Sequence, residues 1–243
     1  MNKSGGLLVV AFALVQASLS AQTTAQQGTR VVNSEQWKDE VAQFRASDKR
    51  HAPRAGGVVF VGSSSIRLWP HLEADFPGIN LVQRGVGGSQ LTDIVYWAPQ
   101  IVLPYRPHLI VLYAGDNDIA EGATPENVFN DYKAFVQLVR KSLPRARIAF
   151  VSIKPSIARI AMIEKIRTAN RMISQYAASH PRLHYVDVFS PMLNANGQPR
   201  PELFVADGLH MNAAGYALWR DALAPIVQKY SAGAAPEKGY AAR

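Results

Sequence analysis

The sequence predicts one doubly wound α/β sandwich built on about five parallel strands, and three observations predict it. Five short runs are rich in Val, Ile, Leu and Phe: Gly57–Gly62, Ile79–Gln83, His108–Ala114, Arg147–Ser152 and His184–Val188. Their apolar character is continuous rather than alternating, as in strands covered on both faces of a parallel sheet. Between them stand segments with apolar residues at helical spacing, and each run is followed by a loop of small or polar residues.

The bulk numbers suit that class. The chain has 243 residues, 48% hydrophobic and 18% charged, enough for one compact domain with a sizeable core, expected over residues 31–230. It is too apolar to remain unfolded. Residues 1–21 stand apart. Lys3 supplies a positive start, Leu7–Val15 is an apolar run, and Ala17–Ala21 offers small residues for cleavage near Ser20 and Ala21. The run is about half the ~20 residues a membrane span needs, so it reads as a signal peptide. The expected product is exported, periplasmic or secreted, and not stably inserted in a membrane. Residues 22–30 read as a polar linker and 231–243 as an Ala/Gly/Lys-rich flexible tail.

There is no cysteine, which excludes a disulfide, a thiolate zinc site and a cysteine-linked lipid anchor. The net charge is +8, and +7 without the one basic residue of the leader. The surplus reads as a solubility feature. With no basic tract interleaved with aromatics, nucleic acid is not an expected partner.

The elements follow in order. A first helix is expected over Val31–Ser47 around Trp37, Val41 and Phe44. Thr124-Pro125 is a good N-cap and first-turn proline, and Val128, Tyr132, Phe135, Val136 and Val139 continue at helical spacing. Ile160, Ile163, Ile166, Ile173 and Tyr176 mark the next helix. Asn212 caps a last helix carrying Tyr216, Trp219 and Leu223, expected to bend or end at Pro225.

In doubly wound sheets, ligands bind beyond the carboxyl ends of the strands. After the first run come Ser63, Ser64 and Ser65, before a helix expected near Ile66. A serine there exposes its hydroxyl at a helix start, although a serine in that position is also an ordinary cap. After the second run, Gly85, Gly87 and Gly88 allow a tight turn and a close backbone approach. The spacing fits neither a dinucleotide fingerprint nor a phosphate loop. After the third run, Asn117 offers an uncharged amide donor, and Ala120 breaks the calcium-loop pattern that Asp116 and Asp118 begin. Near the end, Asp207 and His210 stand three apart. The histidine is able to act as a base near neutral pH, and the aspartate to orient it.

Taken in order, these blocks resemble the SGNH hydrolase superfamily, also called GDSL-type lipases and esterases. The resemblance runs from Val58 to Tyr216. Phe60-Val-Gly62-Ser63-Ser64 is similar to the family's F-x-G-D-S block, which implies Ser64 as nucleophile, with Ser65 as the alternative. Ser63 replaces the usual aspartate, which is not a triad member. The RGVGGS stretch implies Gly88 as an oxyanion donor. Gly115-Asp116-Asn117-Asp118 matches G-x-N-D and implies Asn117 as another. Asp207-Gly-Leu-His210 matches D-x-x-H. The fold implied is a flavodoxin-like three-layer α/β/α sandwich.

The resemblance implies an exported serine carboxylester hydrolase for small acyl esters, acetyl groups among them, on a small molecule or glycan. Its triad would be Ser64, His210 and Asp207, and its oxyanion hole the N–H groups of Ser64 and Gly88 with the Asn117 amide. No metal or organic cofactor is implied. A lipase or lysophospholipase, and a non-catalytic envelope binding protein retaining the fold, stay open. Arg67, Trp69 and Arg84 flank the blocks and read as ion pairs and core rather than site. The sequence does not indicate an oligomeric state.

Overall fold

A computed structural model of the chain describes residues 33–231, besides Met1. The segments expected as signal peptide and linker, and the tail beyond Ser231, lie outside the described residues.

Five parallel strands form one sheet: β1 (Val58–Gly62), β2 (Leu81–Gly85), β3 (Leu109–Tyr113), β4 (Arg147–Val151) and β5 (Leu183–Val186). Their spatial order is β2-β1-β3-β4-β5, every pairing parallel. The five expected runs are the five strands, with ends shifted by up to two residues. Such boundary shifts are ordinary, because the last pairs of a strand fray into loops.

The helices are α1 (Lys38–Arg50), α2 (Ser64–Arg67), α3 (Leu72–Asp75), α4 (Leu91–Ile101), α5 (Asp116–Ala120), α6 (Pro125–Ser142), α7 (Ile163–Ala178) and α8 (Ala213–Tyr230). They cover both faces of the sheet. In β1, Val59 and Val61 pack toward α4, α6 and α7, while Val58 and Phe60 pack toward α2, α3 and α8. That alternation explains why the strand is apolar at every position: each face meets its own core.

Local chemistry sets the helix ends. The Thr124 hydroxyl accepts from Asn127 N–H at 3.2 Å and Pro125 fills the first turn of α6. The Asn212 side chain accepts from Ala214 and Gly215 N–H at the start of α8. One expectation is corrected: helix α2 begins at Ser64 rather than near Ile66. Of the two outcomes expected at Pro225, a bend or an end, the end does not occur, since α8 runs through it to Tyr230. Pro225 lies on the exposed side of α8, and burial of Leu223 and Val227 on the other side keeps the helix on the sheet.

Trp69 is core, packed edge-on or tilted among Phe60, Phe76, Tyr216 and Trp219. Arg84 is a buried structural cation, donating to the Tyr105 hydroxyl at 2.8 Å and paired with Asp48. Arg67 makes an exposed pair with Glu40. All three take the structural roles the sequence favoured.

Strand β1 connects to β2 on one side and the chain then crosses to β3 on the other. The carboxyl ends of β1 and β3 therefore form the switch point where this sheet order opens a crevice. Ser64 follows β1 and Asn117 follows β3.

Candidate active site

Only one of the three serines faces outward. Ser63 and Ser65 are buried, and Ser64 between them is partly exposed. Gly62 makes this turn possible: a Cβ there would sit 1.9 Å from the Tyr113 carbonyl oxygen, so only glycine lets β1 pass β3 so closely. Ser64 opens α2, so its N–H is among the first-turn donors that a helix leaves unpaired.

His210 arrives on the loop before α8. Its Nε2 lies 3.1 Å from Ser64 Oγ, and its Nδ1 lies 2.6 Å from Asp207 Oδ2. The other carboxylate oxygen of Asp207 accepts from the N–H groups of Leu209 at 2.8 Å and His210 at 2.9 Å. The His210 ring, with these two backbone donors, holds the Asp207 carboxyl down to about 2. An ionised carboxylate only accepts, so Nδ1 carries the ring proton and Nε2 turns its lone pair to the serine. Ser64, His210 and Asp207 thus form one chain of hydrogen bonds, able to draw a proton from the serine hydroxyl.

The second-strand loop is a tight turn. Ser89 N–H donates to Val86 C=O at 3.3 Å, and Gly88 in the third position has φ +79°. A positive φ there is the type II pattern, which glycine adopts without strain. Among the described residues none accepts from the Gly88 N–H.

The loop after β3 grips this turn. Asn117 Nδ2 donates to Ser89 C=O at 3.0 Å, and both Asp118 carboxylate oxygens accept from Leu91 N–H at 3.0 and 3.2 Å. Asp118 therefore secures the start of α4, while Asn117 keeps a second amide N–H.

Sequence reasoning missed the loop after β4, Ser152–Arg159. Lys154 Nζ lies 3.1 Å from Asp116 Oδ2 and donates to the Tyr113 hydroxyl at 3.2 Å. Arg159 lies 3.0 Å from the same Asp116 oxygen and donates from Nη2 to Asn117 Oδ1 at 2.8 Å. Burial pushes the Asp116 carboxyl up, but Lys154 and Arg159 outweigh it and hold it below its ordinary range. Ala158 N–H also donates to Gly208 C=O at 3.1 Å, tying this loop to the Asp207–His210 turn. The available signal was a lysine and an arginine just beyond the carboxyl end of a buried strand. Among the described residues no group of three or more His, Asp or Glu side chains is placed to hold a metal ion.

The profile of the GDSL-like Lipase/Acylhydrolase family matches residues 55–218. The platelet-activating factor acetylhydrolase IB subunit alpha1 of Bos taurus is 28% identical over 189 residues, covering 74% of this chain and 77% of that protein. A solved structure of a putative platelet activating factor from Streptococcus pneumonia superposes with TM-score 0.70 at 22% identity, over 79% of this chain and 93% of that one. A carbohydrate esterase family 3 structure from Talaromyces cellulolyticus superposes with TM-score 0.56 at 18% identity, over 74% and 100%. Those two structures share the fold. With two thirds of its length matched by the family profile, the chain belongs to the GDSL-like lipase/acylhydrolase family, hydrolases that act on esters.

Proposed function

We propose that the protein is a serine carboxylester hydrolase working through Ser64, His210 and Asp207. The observation that carries this reading is the 3.1 Å approach of His210 Nε2 to Ser64 Oγ, with Asp207 behind the ring. His210 Nε2 takes the hydroxyl proton as Oγ bonds to the ester carbonyl carbon. The carbonyl π pair moves onto oxygen, where the N–H groups of Ser64 and Gly88 and the Asn117 amide hold it. Collapse breaks the bond to the alcohol, which leaves with the proton from His210. Water then attacks the acyl-enzyme, giving its proton to His210. Collapse returns that proton to Ser64 and frees the acid.

The acyl group in this reading is small, acetyl in the first instance, on a small-molecule or glycan alcohol. Support for acetyl comes from the relative whose name is an acetylhydrolase. Export rests on the N-terminal sequence, Lys3 followed by Leu7–Val15 and Ala17–Ala21. Among the described residues no helix is long and apolar enough to cross a membrane.

One observation favours a second reading, a longer-chain lipid ester. Ile157 and Val205 are 42% and 44% exposed. Ile157 packs against Gly208, and Val205 N–H donates to His210 C=O at 2.9 Å, so both border the histidine loop. Fluorophosphonate labelling with mass mapping of the adduct tests the shared chemistry. A panel of p-nitrophenyl esters then separates the readings. Highest kcat/KM at two carbons supports the acetyl reading, and a maximum at eight or more the lipid one. No adduct on folded protein would remove both.

A further inference from the structure

The loop Ser152–Arg159 ends in a cation whose purpose is not charge balance. Lys154 is 1% exposed and already neutralises the buried Asp116. Arg159, its side chain 15% exposed, adds a second positive charge to that same carboxylate. Among these three groups one positive charge is left over. A surplus charge so near the interior is costly unless something nearby uses it.

What lies nearby is Asn117. Its amide has two orientations of nearly the same shape, related by a half-turn. A guanidinium only donates and a peptide carbonyl only accepts. Arg159 Nη2 on Oδ1 at 2.8 Å and Ser89 C=O on Nδ2 at 3.0 Å therefore select one orientation from both ends. The half-turn would set N–H against N–H and oxygen against oxygen. A cation on the amide oxygen also draws electron density from the nitrogen, making the remaining N–H a stronger donor.

The loop that carries the arginine is anchored at its start. Asn170 grips Ile153 through both its backbone groups, at 2.8 and 2.9 Å. The Ser152 hydroxyl accepts from Val188 and Phe189 N–H, each at 2.9 Å. The arginine's Nη2 makes the hydrogen bond to Asn117, while Nη1 lies 3.0 Å from Asp116 as an ion pair without a hydrogen bond, so two nitrogens meet neighbouring residues, which a single ammonium does not reproduce.

We infer that Arg159 is a positioning residue for the oxyanion donor Asn117, fixing the flip of its amide and strengthening its free N–H without touching substrate. This rests on the reading of Asn117 as an oxyanion donor.

The test is a double-mutant cycle with p-nitrophenyl acetate. The rate of fluorophosphonate labelling is a second readout, since attack on phosphorus also builds charge on an oxygen. Asn117→Ala is expected to lower kcat by roughly 10²–10³. Arg159→Gln should lower kcat at least about tenfold with KM changed less than about twofold, and cost under about twofold more once Asn117 is alanine. Arg159→Lys, which keeps the charge, guards against loss of folding. It should keep the melting temperature of the native chain yet stay well below its kcat. An equal loss from Arg159→Gln in both backgrounds overturns the inference, as does full kcat in Arg159→Gln or Arg159→Lys. If Asn117→Ala keeps native kcat, the oxyanion reading falls and takes this one with it. A failure of Arg159 alone leaves the Asn117→Ala loss intact, so the two failures are distinct.

Discussion

Ser64 Oγ and His210 Nε2 are 146 residues apart in sequence and 3.1 Å apart in space, one at the end of β1 and the other on the loop before α8. That relationship chooses among the three serines. Ser65 is buried, and its backbone carbonyl accepts from the Tyr216 hydroxyl at 3.1 Å. Fluorophosphonate is expected to modify the native chain at Ser64. Ser64→Ala and His210→Ala should each abolish labelling while preserving the circular-dichroism spectrum, and Ser65→Ala should still label. An adduct on Ser65 would mean that the wrong hydroxyl has been paired with the histidine.

Asp207 links the site to pH. Its carboxyl drops to about 2 because the His210 ring and two backbone N–H groups donate to it. A group whose folded value lies below its unfolded value of about 3.8 stabilises the fold fully above that unfolded value. That contribution fades as pH falls toward 2. The melting temperature of Asp207→Asn should therefore lie below the native one at pH 7, with a gap that narrows between about pH 4 and pH 2. The gap will be modest, since the side chain is partly exposed. Asp207 also remains ionised throughout pH 4–8, so an acid limb of kcat/KM in that range belongs to another group. A melting gap independent of pH would show that the carboxylate bonds are not made in solution.

Asn117 holds the glycine turn through Ser89 and, in the proposed mechanism, stabilises the oxyanion as well. The two duties separate by measurement. Asn117→Ala should reduce kcat by roughly 10²–10³ with KM little changed. The melting temperature should fall by the value of the two hydrogen bonds the amide makes, to Ser89 C=O and from Arg159, roughly 2–3 kcal/mol or about 4–12 °C at this chain length. A large melting loss with kcat intact would make Asn117 purely structural.

Much of this was legible from the chain. The central strands announced themselves because a parallel sheet buried on both faces needs apolar residues at every position, as in Val58–Val61, while the edge strands β2 and β5 admit Gln83, Arg84 and His184. Ser64, Gly88 and Asn117 stood just after strands because this topology places loops there, and His210 stood on the loop before the last helix. Pro225 does not end α8, because local propensity names a breaker without knowing which face is buried. Lys154 and Arg159 stayed hidden for another reason. A lysine in SIKPS looks like any surface cation until tertiary structure brings Asp116 to within 3.1 Å across two strands. Charge pairing at that sequence distance leaves no local pattern.

Ser63, where the resembled family usually carries aspartate, sets two effects in opposition. It sits at the N-cap of α2, and losing a working cap typically costs about 1 kcal/mol. Its hydroxyl, however, makes no capping bond. The residue is 0% exposed, and Oγ has no partner among the described residues. Burying an unpaired hydroxyl is itself unfavourable by about 1 kcal/mol or more. Its backbone contact, Ser63 N–H to Tyr113 C=O at 3.0 Å, survives any side-chain change. The unpaired hydroxyl therefore dominates. Ser63→Ala should leave the melting temperature unchanged or raise it by roughly 2–4 °C. Fluorophosphonate labelling of Ser64 should stay within about twofold of native, since the Ser64–His210 geometry does not depend on this hydroxyl. A clear drop in melting temperature would show that Ser63 Oγ has a hydrogen-bond partner in solution, and a drop in labelling alone would tie that hydroxyl to the setting of the nucleophile.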